Sequence, residues 1–263
     1  LIEDYMIAAN VAAAKALEAK KAPVMYRVHE PPSRDKLVAL KDYLATFDIS
    51  FALGQVVKPS TFNQLIAKIG EAEEKPQIME MILRSQTQAY YAPQNMGHFG
   101  LALGSYAHFT SPIRRYADLV VHRILEAHLR NSRKTSHSID RLDRVAKHIS
   151  ETERNSIDAE RESKKTKLVA YYARELEENK VREHEAVITQ IGRKGFFVEL
   201  DESLAQGFVA LRTLPRHENY RVSSNETAVT ARNPKKTLKI GQRIKVVIDR
   251  IHRDEKLLDF RLA

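Results

Sequence analysis

At 263 residues and a formal net charge of +9, the chain can bury one sizeable core or two smaller ones, and its basic balance points to a polyanionic partner or an anionic membrane surface, the competing account being a solvated basic surface without function. It contains no cysteine, which excludes a disulfide framework, thiolate catalysis and thiolate metal sites and is compatible with a reducing cytoplasm, the expected location. No apolar run approaches the roughly 18 residues of a membrane-spanning helix, so no membrane partner is expected.

Leu1, Ile2, Tyr5, Met6, Ala9 and Ala13 already run at helical spacing with no cap before them. The chain is therefore expected to begin inside a helix and to be a piece of a longer protein. That helix is predicted over residues 1–22, with Glu3 and Asn10 seven apart on one face. A short strand, Val24 to Val28, is stopped by Pro31-Pro32. Ser33 caps a helix to about Phe47, and Ser60 or Thr61 caps another to about Ile69. A third is predicted from Pro76 to about Tyr90, with Ile78, Met81, Ile82, Ser85 and Ala89 along one side. A glycine-punctuated loop, Gly97 to Gly104, then delivers the chain to the stretch Ala107 to Leu119.

That stretch reads as a helix start, with Thr110 or Ser111 as N-cap, Pro112 at the first helical position, and Ile113, Tyr116, Ala117, Val120 and Ile124 on one apolar face. Arg114 and Arg115 then fall in the first turn, where the helix dipole disfavours each cation by roughly 0.3 to 1 kcal/mol. An anion is expected beside them. A phosphate fits best, because a helix N-terminus and a guanidinium fork offer dipole and paired donors together. The competing account is that Asp118, one turn on, neutralises both arginines. The helix should end near Asn131, before a polar linker, Asn131 to His137. Ser138 caps a very long helical run to about Lys180, uninterrupted by Gly or Pro and apolar at Ile139, Leu142, Val145, Ile149, Leu168, Val169, Tyr172 and Leu176.

Composition changes at about Arg182. Residues 182–263 carry 16 Lys/Arg against 11 Asp/Glu, and the first 181 carry 27 against 23, so positive charge is denser in the smaller part. Five short strand candidates follow at regular spacing: 186–189, 195–200, 207–211, 243–248 and 257–261. They suggest a five-stranded barrel of the OB type, with Ser223 to Lys239 as a long loop. The barrel resembles the ribosomal S-one-type RNA-binding fold. On that likeness Phe196, Phe197, Phe208 and Tyr220, with Arg193, Lys194 and Arg250 nearby, can supply stacking platforms and a groove that tracks the backbone. Phe196 and Phe197 are adjacent on one strand, so only one faces the surface. Ala210 stands where such barrels often carry a histidine. The competing account is a barrel whose phenylalanines all belong to its core.

The runs Gly97-His98-Phe99-Gly100-Leu101-Ala102-Leu103 and Tyr106-Ala107-His108-Phe109-Thr110-Ser111-Pro112-Ile113-Arg114-Arg115-Tyr116 resemble the signature of the ribonuclease R and ribonuclease II exoribonucleases. The resemblance extends over nearly the whole chain. It implies an α+β fold: a mostly helical fragment of the RNB catalytic domain over 1–181, then the OB-type barrel over 182–263. Arg114 matches the catalytic arginine that holds a phosphate near the scissile bond, where a fixed charge can stabilise the transition state. Arg115 is placed with it among the RNA-binding residues. Glu3 matches a carboxylate of the substrate channel that accepts a hydrogen bond from a ribose 2′-hydroxyl. Glu160 matches a second channel carboxylate, although its neighbours Glu153, Arg154, Arg161 and Glu162 make i,i+4 pairing the default account. The segments Tyr26 to Pro32 and Leu83-Arg84-Ser85 match as scaffold, and Gln86-Thr87-Gln88 departs from the usual Met-Lys-Gln.

Hydrolysis in this family needs divalent ions, Mg²⁺ in the full-length enzyme, held by clustered aspartates. This chain offers only the short-range pairs Asp140/Asp143 and Asp254/Glu255, so no metal is expected to bind it alone. The aspartates, and the aromatic residues that clamp the last bases, would precede Leu1. The ten histidines show no metal-ligand spacing, and His98 and His108 read as structural. The implied function is part of a processive 3′-to-5′ exoribonuclease that releases nucleoside 5′-monophosphates, with single-stranded RNA and the missing N-terminal part of the same enzyme as partners. Alone, the chain is expected to bind RNA weakly and hardly cleave it. The alternative is a non-catalytic RNA-binding protein whose helical part is a docking scaffold.

Overall fold

The computed structural model describes residues 1–54, 56–70, 75–130, 138–178, 182–223, 226 and 228–263. The linker expected over 131–137 and the helix end expected near Lys180 lie outside these residues. The chain forms two compact units. Leu1–Lys41, Ala52–Leu65 and Leu83–Ile157 make the first, and Asp42–Phe51, Ile66–Ile82 and Asp158–Ala263 the second. The units divide inside the long helix, whereas the composition shift at Arg182 marks the approach to the first barrel strand.

In the first unit α1 (Ile2–Ala19) buries Asn10, Ala13, Ala14 and Leu17, one stripe at helical spacing. Of the apolar stripe expected on this helix, Leu1, Ile2, Tyr5 and Met6 are exposed, Ile2 by 72% and Tyr5 by 69%. The small side chains of Ala13 and Ala14 let the other stripe approach its neighbours, among them α5 (Tyr116–Leu129). β1 (Tyr26–Val28) pairs antiparallel with β2 (Tyr90–Ala92), Tyr26 opposite Ala92. Between them in sequence come α2 (Arg34–Ala45), α3 (Pro59–Ile69) and α4 (Lys75–Ser85), of which residues 42–45, 66–69 and 75–82 belong to the second unit. α4 was expected to reach Tyr90; it stops at Ser85 because the aromatic pair Tyr90-Tyr91 is taken into the strand, where the Tyr91 amide also donates to Ser150 Oγ at 2.9 Å. α6 (Ile139–Glu177) contributes Leu142 and Ala146 to this unit's core beside Leu17, Val28, Val121 and Ile124.

In the second unit β3 (His184–Gly192), β4 (Gly195–Leu200), β5 (Gln206–Ala210), β9 (Arg243–His252) and β10 (Leu257–Leu262) form a closed barrel in the order β10-β5-β4-β3-β9. All neighbours are antiparallel except β10 and β5, whose parallel pairing closes the ring. Ile188, Phe196, Val198, Val209, Val246 and Phe260 fill the interior with no exposed surface. The far end of α6 packs on this core through Val169 and Tyr172. His184, fully buried, places its two ring nitrogens 2.9 Å from Glu175 and 2.9 Å from Glu202, and so ties α6 to β3 and to the β4–β5 turn. The long loop expected at Ser223 to Lys239 instead carries two of the three strands of a small sheet, β6 (Arg221–Val222), β7 (Ala228–Thr230) and β8 (Leu238–Lys239). Strands of two or three residues are too short to show alternation, and here Val229 and Leu238 are buried while Val222 packs partly buried against the core.

Candidate nucleic-acid interface

The segment Tyr106 to Arg115 is held from two helices. From α1, the buried Asn10 accepts hydrogen bonds at Oδ1 from the amides of Phe109 (2.8 Å) and Thr110 (3.2 Å), and its Nδ2 donates to the Tyr106 hydroxyl at 3.0 Å. From α5, His122 Nε2 lies 2.8 Å from the Phe109 carbonyl, its ring stacked on Phe109 with centroids 4.0 Å apart and planes at 7°. Asp118, also fully buried, accepts from the Ser111 amide at 2.8 Å. Three consecutive amides thus have side-chain acceptors, which satisfies groups that no regular ladder reaches.

This arrangement corrects the expected helix start. α5 begins at Tyr116, not at Pro112. The amides of Arg114 and Arg115 both point to the Ser111 carbonyl, at 3.3 and 3.1 Å, making a single turn, after which Arg115 adopts an extended backbone (φ −123°, ψ 118°). Asp118 is the cause. It receives the Arg115 fork, Nη2 to Oδ1 at 2.8 Å and Nε to Oδ2 at 2.9 Å, together with the Ser111 amide, and so draws Arg115 out of helical geometry. The dipole argument therefore applies to neither arginine, since both precede the helix. Neutralisation by Asp118 holds for Arg115, whose side chain keeps 20% exposure, and fails for Arg114. Arg114 is exposed, and its side chain has no hydrogen bond or ion pair among the described residues. Ile113 beside it is fully exposed rather than on the apolar face.

A shallow depression lies next to this turn, lined by Ile2, Tyr5 and Met6 of α1 and by Phe109, Thr110 and Pro112. Glu3 is exposed in the first turn of α1. Glu160 is exposed in the middle of α6 and accepts from Lys164 at 2.6 Å, a contact that lowers its pKa. It is a solvated i,i+4 pair, and the channel role expected for it has no support in its surroundings.

Behind the turn lies a cluster of rings. The Tyr91 hydroxyl is 2.9 Å from His108 Nδ1, and Tyr106 packs edge-on against both His98 and His108. Burial first, then the charges of Arg115 and Arg27, push His108 down to about 3. Burial and then His29 push His98 down to about 4. Both imidazoles are neutral at pH 7, which suits structural acceptors.

On the barrel, Phe197 and Phe208 are opposite one another on β4 and β5, ring centroids 5.1 Å apart and tilted by 54°, with Phe197 45% exposed. Phe196 points the other way and is fully buried, so it belongs to the core and not to a stacking surface. Lys194 and Arg193 are exposed in the β3–β4 turn. Tyr220 packs partly buried against the barrel core, and burial raises its pKa. Asp259, beside Phe208 on β10, accepts from His252 Nε2 at 3.1 Å. Two features escaped sequence reasoning. The His252–Asp259 pair is assembled only by the β9–β10 hairpin. Asn10 carried a signal, as an amide among the alanines of a buried stripe. Among the described residues no three His, Asp or Glu side chains are grouped to hold a metal ion, so the residues present do not fit the implied Mg²⁺.

Residues 1–131 match the family profile of the RNB domain, and residues 177–262 that of the S1 RNA binding domain. Over its whole length the chain is 34% identical to ribonuclease R of Vibrio cholerae and 32% identical to that of Escherichia coli, covering 33% of each. It thus spans about a third of the length of these curated relatives. The apo form of Mycoplasma genitalium RNase R superposes with a TM-score of 0.82 at 26% identity, over 100% of this chain and 41% of that one. The same enzyme in complex with ribose-methylated single-stranded RNA gives the same TM-score of 0.82.

Proposed function

We propose that this chain is the C-terminal part of a processive 3′-to-5′ exoribonuclease of the ribonuclease R kind, which hydrolyses single-stranded RNA to nucleoside 5′-monophosphates; its RNB and S1 matches and its likeness to ribonuclease R along its whole length support the reading. Its helical residues 1–181 belong to the RNB catalytic domain and residues 182–263 to the S1 barrel. Mg²⁺ and its carboxylate ligands belong to the part of the parent enzyme outside this chain. The chain's own share is binding and charge placement. Arg114 holds a backbone phosphate, Glu3 reads the ribose 2′-hydroxyl, and Phe197 and Phe208 stack bases while Lys194 tracks the backbone.

The observation that carries this reading is the contrast between the neighbouring arginines: Arg115 is paired with Asp118, while Arg114 has no side-chain partner among the described residues and stands on a backbone fixed on both sides. The backbone is fixed there, and the guanidinium it carries is left available to an external oxyanion. In the full-length enzyme, Arg114→Ala should lower turnover far more than RNA affinity; unchanged turnover removes the assignment. The 263-residue chain alone should bind single-stranded RNA and degrade none of it when Mg²⁺ is added, and measurable Mg²⁺-dependent degradation refutes that expectation.

A further inference from the structure

Resting on the reading of Arg114 as the phosphate-binding arginine, we propose that Asn10 is its positioning residue: from α1 it fixes the backbone that leads into Arg114, and so sets where the guanidinium meets the phosphate. Asn10 is 3% exposed on a stripe otherwise made of Ala13, Ala14 and Leu17. A buried amide on such a stripe is costly unless its polar atoms are matched. All its contacts go to one segment. Nδ2 holds the Tyr106 hydroxyl at one end, and Oδ1 takes two successive amides, Phe109 and Thr110, at the other.

The next amide, Ser111, is held by Asp118. Between that last fixed amide and Arg114 stand only Pro112, whose ring locks its own φ, and Ile113. Few backbone torsions are left to absorb an error, so a shift of the Phe109–Thr110 peptide is carried forward to the Arg114 backbone, the point from which the guanidinium reaches the phosphate. A leucine at position 10 would fill the same volume but leave two buried N–H groups unmatched, and the segment could satisfy them only by moving toward water. The helix that supplies this pin also carries Glu3, seven residues earlier. One element therefore holds both the proposed sugar-reading carboxylate and the anchor of the phosphate-binding turn.

The test uses the full-length enzyme and a single-stranded RNA, comparing Arg114→Ala, Asn10→Leu, Asn10→Asp and the double variant Asn10→Leu/Arg114→Ala. Asn10→Leu is expected to lower kcat by between about tenfold and a hundredfold, the cost of a misplaced charge, with KM within about twofold. Asn10→Asp keeps an oxygen for both amides and should retain most of the turnover. In the Arg114→Ala background, Asn10→Leu should cost nothing further, because the group it acts through is gone. The inference is overturned if Asn10→Leu costs as much in that background as alone, or if it leaves kcat intact while Arg114→Ala is impaired. Normal turnover of Arg114→Ala overturns the underlying reading instead, and this inference with it. Should Asn10→Leu fail to fold by thermal melting, Asn10→Ser, whose hydroxyl is too short to reach both amides, carries the same comparison and the same expected direction.

Discussion

Asp118 grips Arg115 with both carboxylate oxygens, at 2.8 and 2.9 Å, while the adjacent Arg114 side chain has no partner among the described residues. Asp118 has no exposed surface and the Arg115 side chain keeps only 20%, so this ion pair lies almost entirely away from water. Removing one partner strands the other. Asp118→Ala should destabilise the fold by roughly 3 kcal/mol, because Arg115 and the Ser111 amide both lose their acceptor. Arg114→Ala, on an exposed side chain, should stay within about 0.5 kcal/mol of the parent. Urea unfolding of the two variants decides the matter, and comparable losses would contradict the division of labour between these arginines.

The adjacent phenylalanines of β4 should separate in the same way, one into binding and one into stability. Phe197→Ala should weaken binding of a single-stranded RNA by about 1 to 3 kcal/mol, the worth of one stacked base, with little change in melting temperature. Phe196→Ala should cost about 3 to 5 kcal/mol of stability, because it empties the barrel interior. Fluorescence anisotropy with a labelled oligonucleotide, paired with thermal melts, reads both. If Phe196→Ala alone impairs binding in a protein that still melts normally, the outward face has been misassigned.

The barrel was legible because each of its five strands is long enough to alternate and because glycines and charges separate them. The sheet at 221–239 was not, since each of its strands offers at most one inward residue. The helical stretches were legible by period, but the start of α5 was not. Thr110, Ser111 and Pro112 satisfy every local rule for a helix start, and the rule is overridden by Asp118, whose carboxylate prefers a guanidinium fork and an amide outside the helix. At the site, local sequence distinguished neither arginine from the other. Their difference arises when α5 and the preceding turn fold around one buried carboxylate, and the contribution of Asn10 arises from a residue 99 positions before the amide it holds.

His108 links the ring cluster to pH. Its folded pKa of about 3 lies below the ordinary value of 6.5, so between those limits the unfolded chain takes up a proton that the folded chain refuses. Stability is therefore fully present above about pH 6.5 and is lost as pH falls through the window, by at most about 1.4 kcal/mol per pH unit from this group. His98 acts in the same direction between 6.5 and about 4. His108→Asn, which keeps an acceptor for the Tyr91 hydroxyl, should flatten the decline in unfolding free energy between pH 6.5 and 5 relative to the parent. Parallel pH profiles for the two proteins would show that His108 titrates normally in the fold.

Closure of the barrel rests on two glycines that face it. A Cβ at Gly207 would fall inside contact distance of the Phe260 ring and 2.5 Å from the Leu258 carbonyl oxygen, and one at Gly195 would collide with the Val209 carbonyl and the Phe208 ring. At Gly207 the obstruction is the backbone of β10, the strand whose parallel pairing with β5 completes the ring. Neither that carbonyl nor the buried Phe260 can yield without opening the pairing. Gly207→Ala should therefore cost roughly 3 kcal/mol, whereas Gly192→Ala, where a Cβ meets nothing within 4 Å, should change stability by no more than about 0.5 kcal/mol. Phe208 follows Gly207 on β5, so RNA affinity should fall with stability in the first variant and hold in the second. Denaturant titration and anisotropy on the same preparations test both halves, and a Gly207→Ala protein as stable as Gly192→Ala would mean that β5 and β10 do not close the barrel as described.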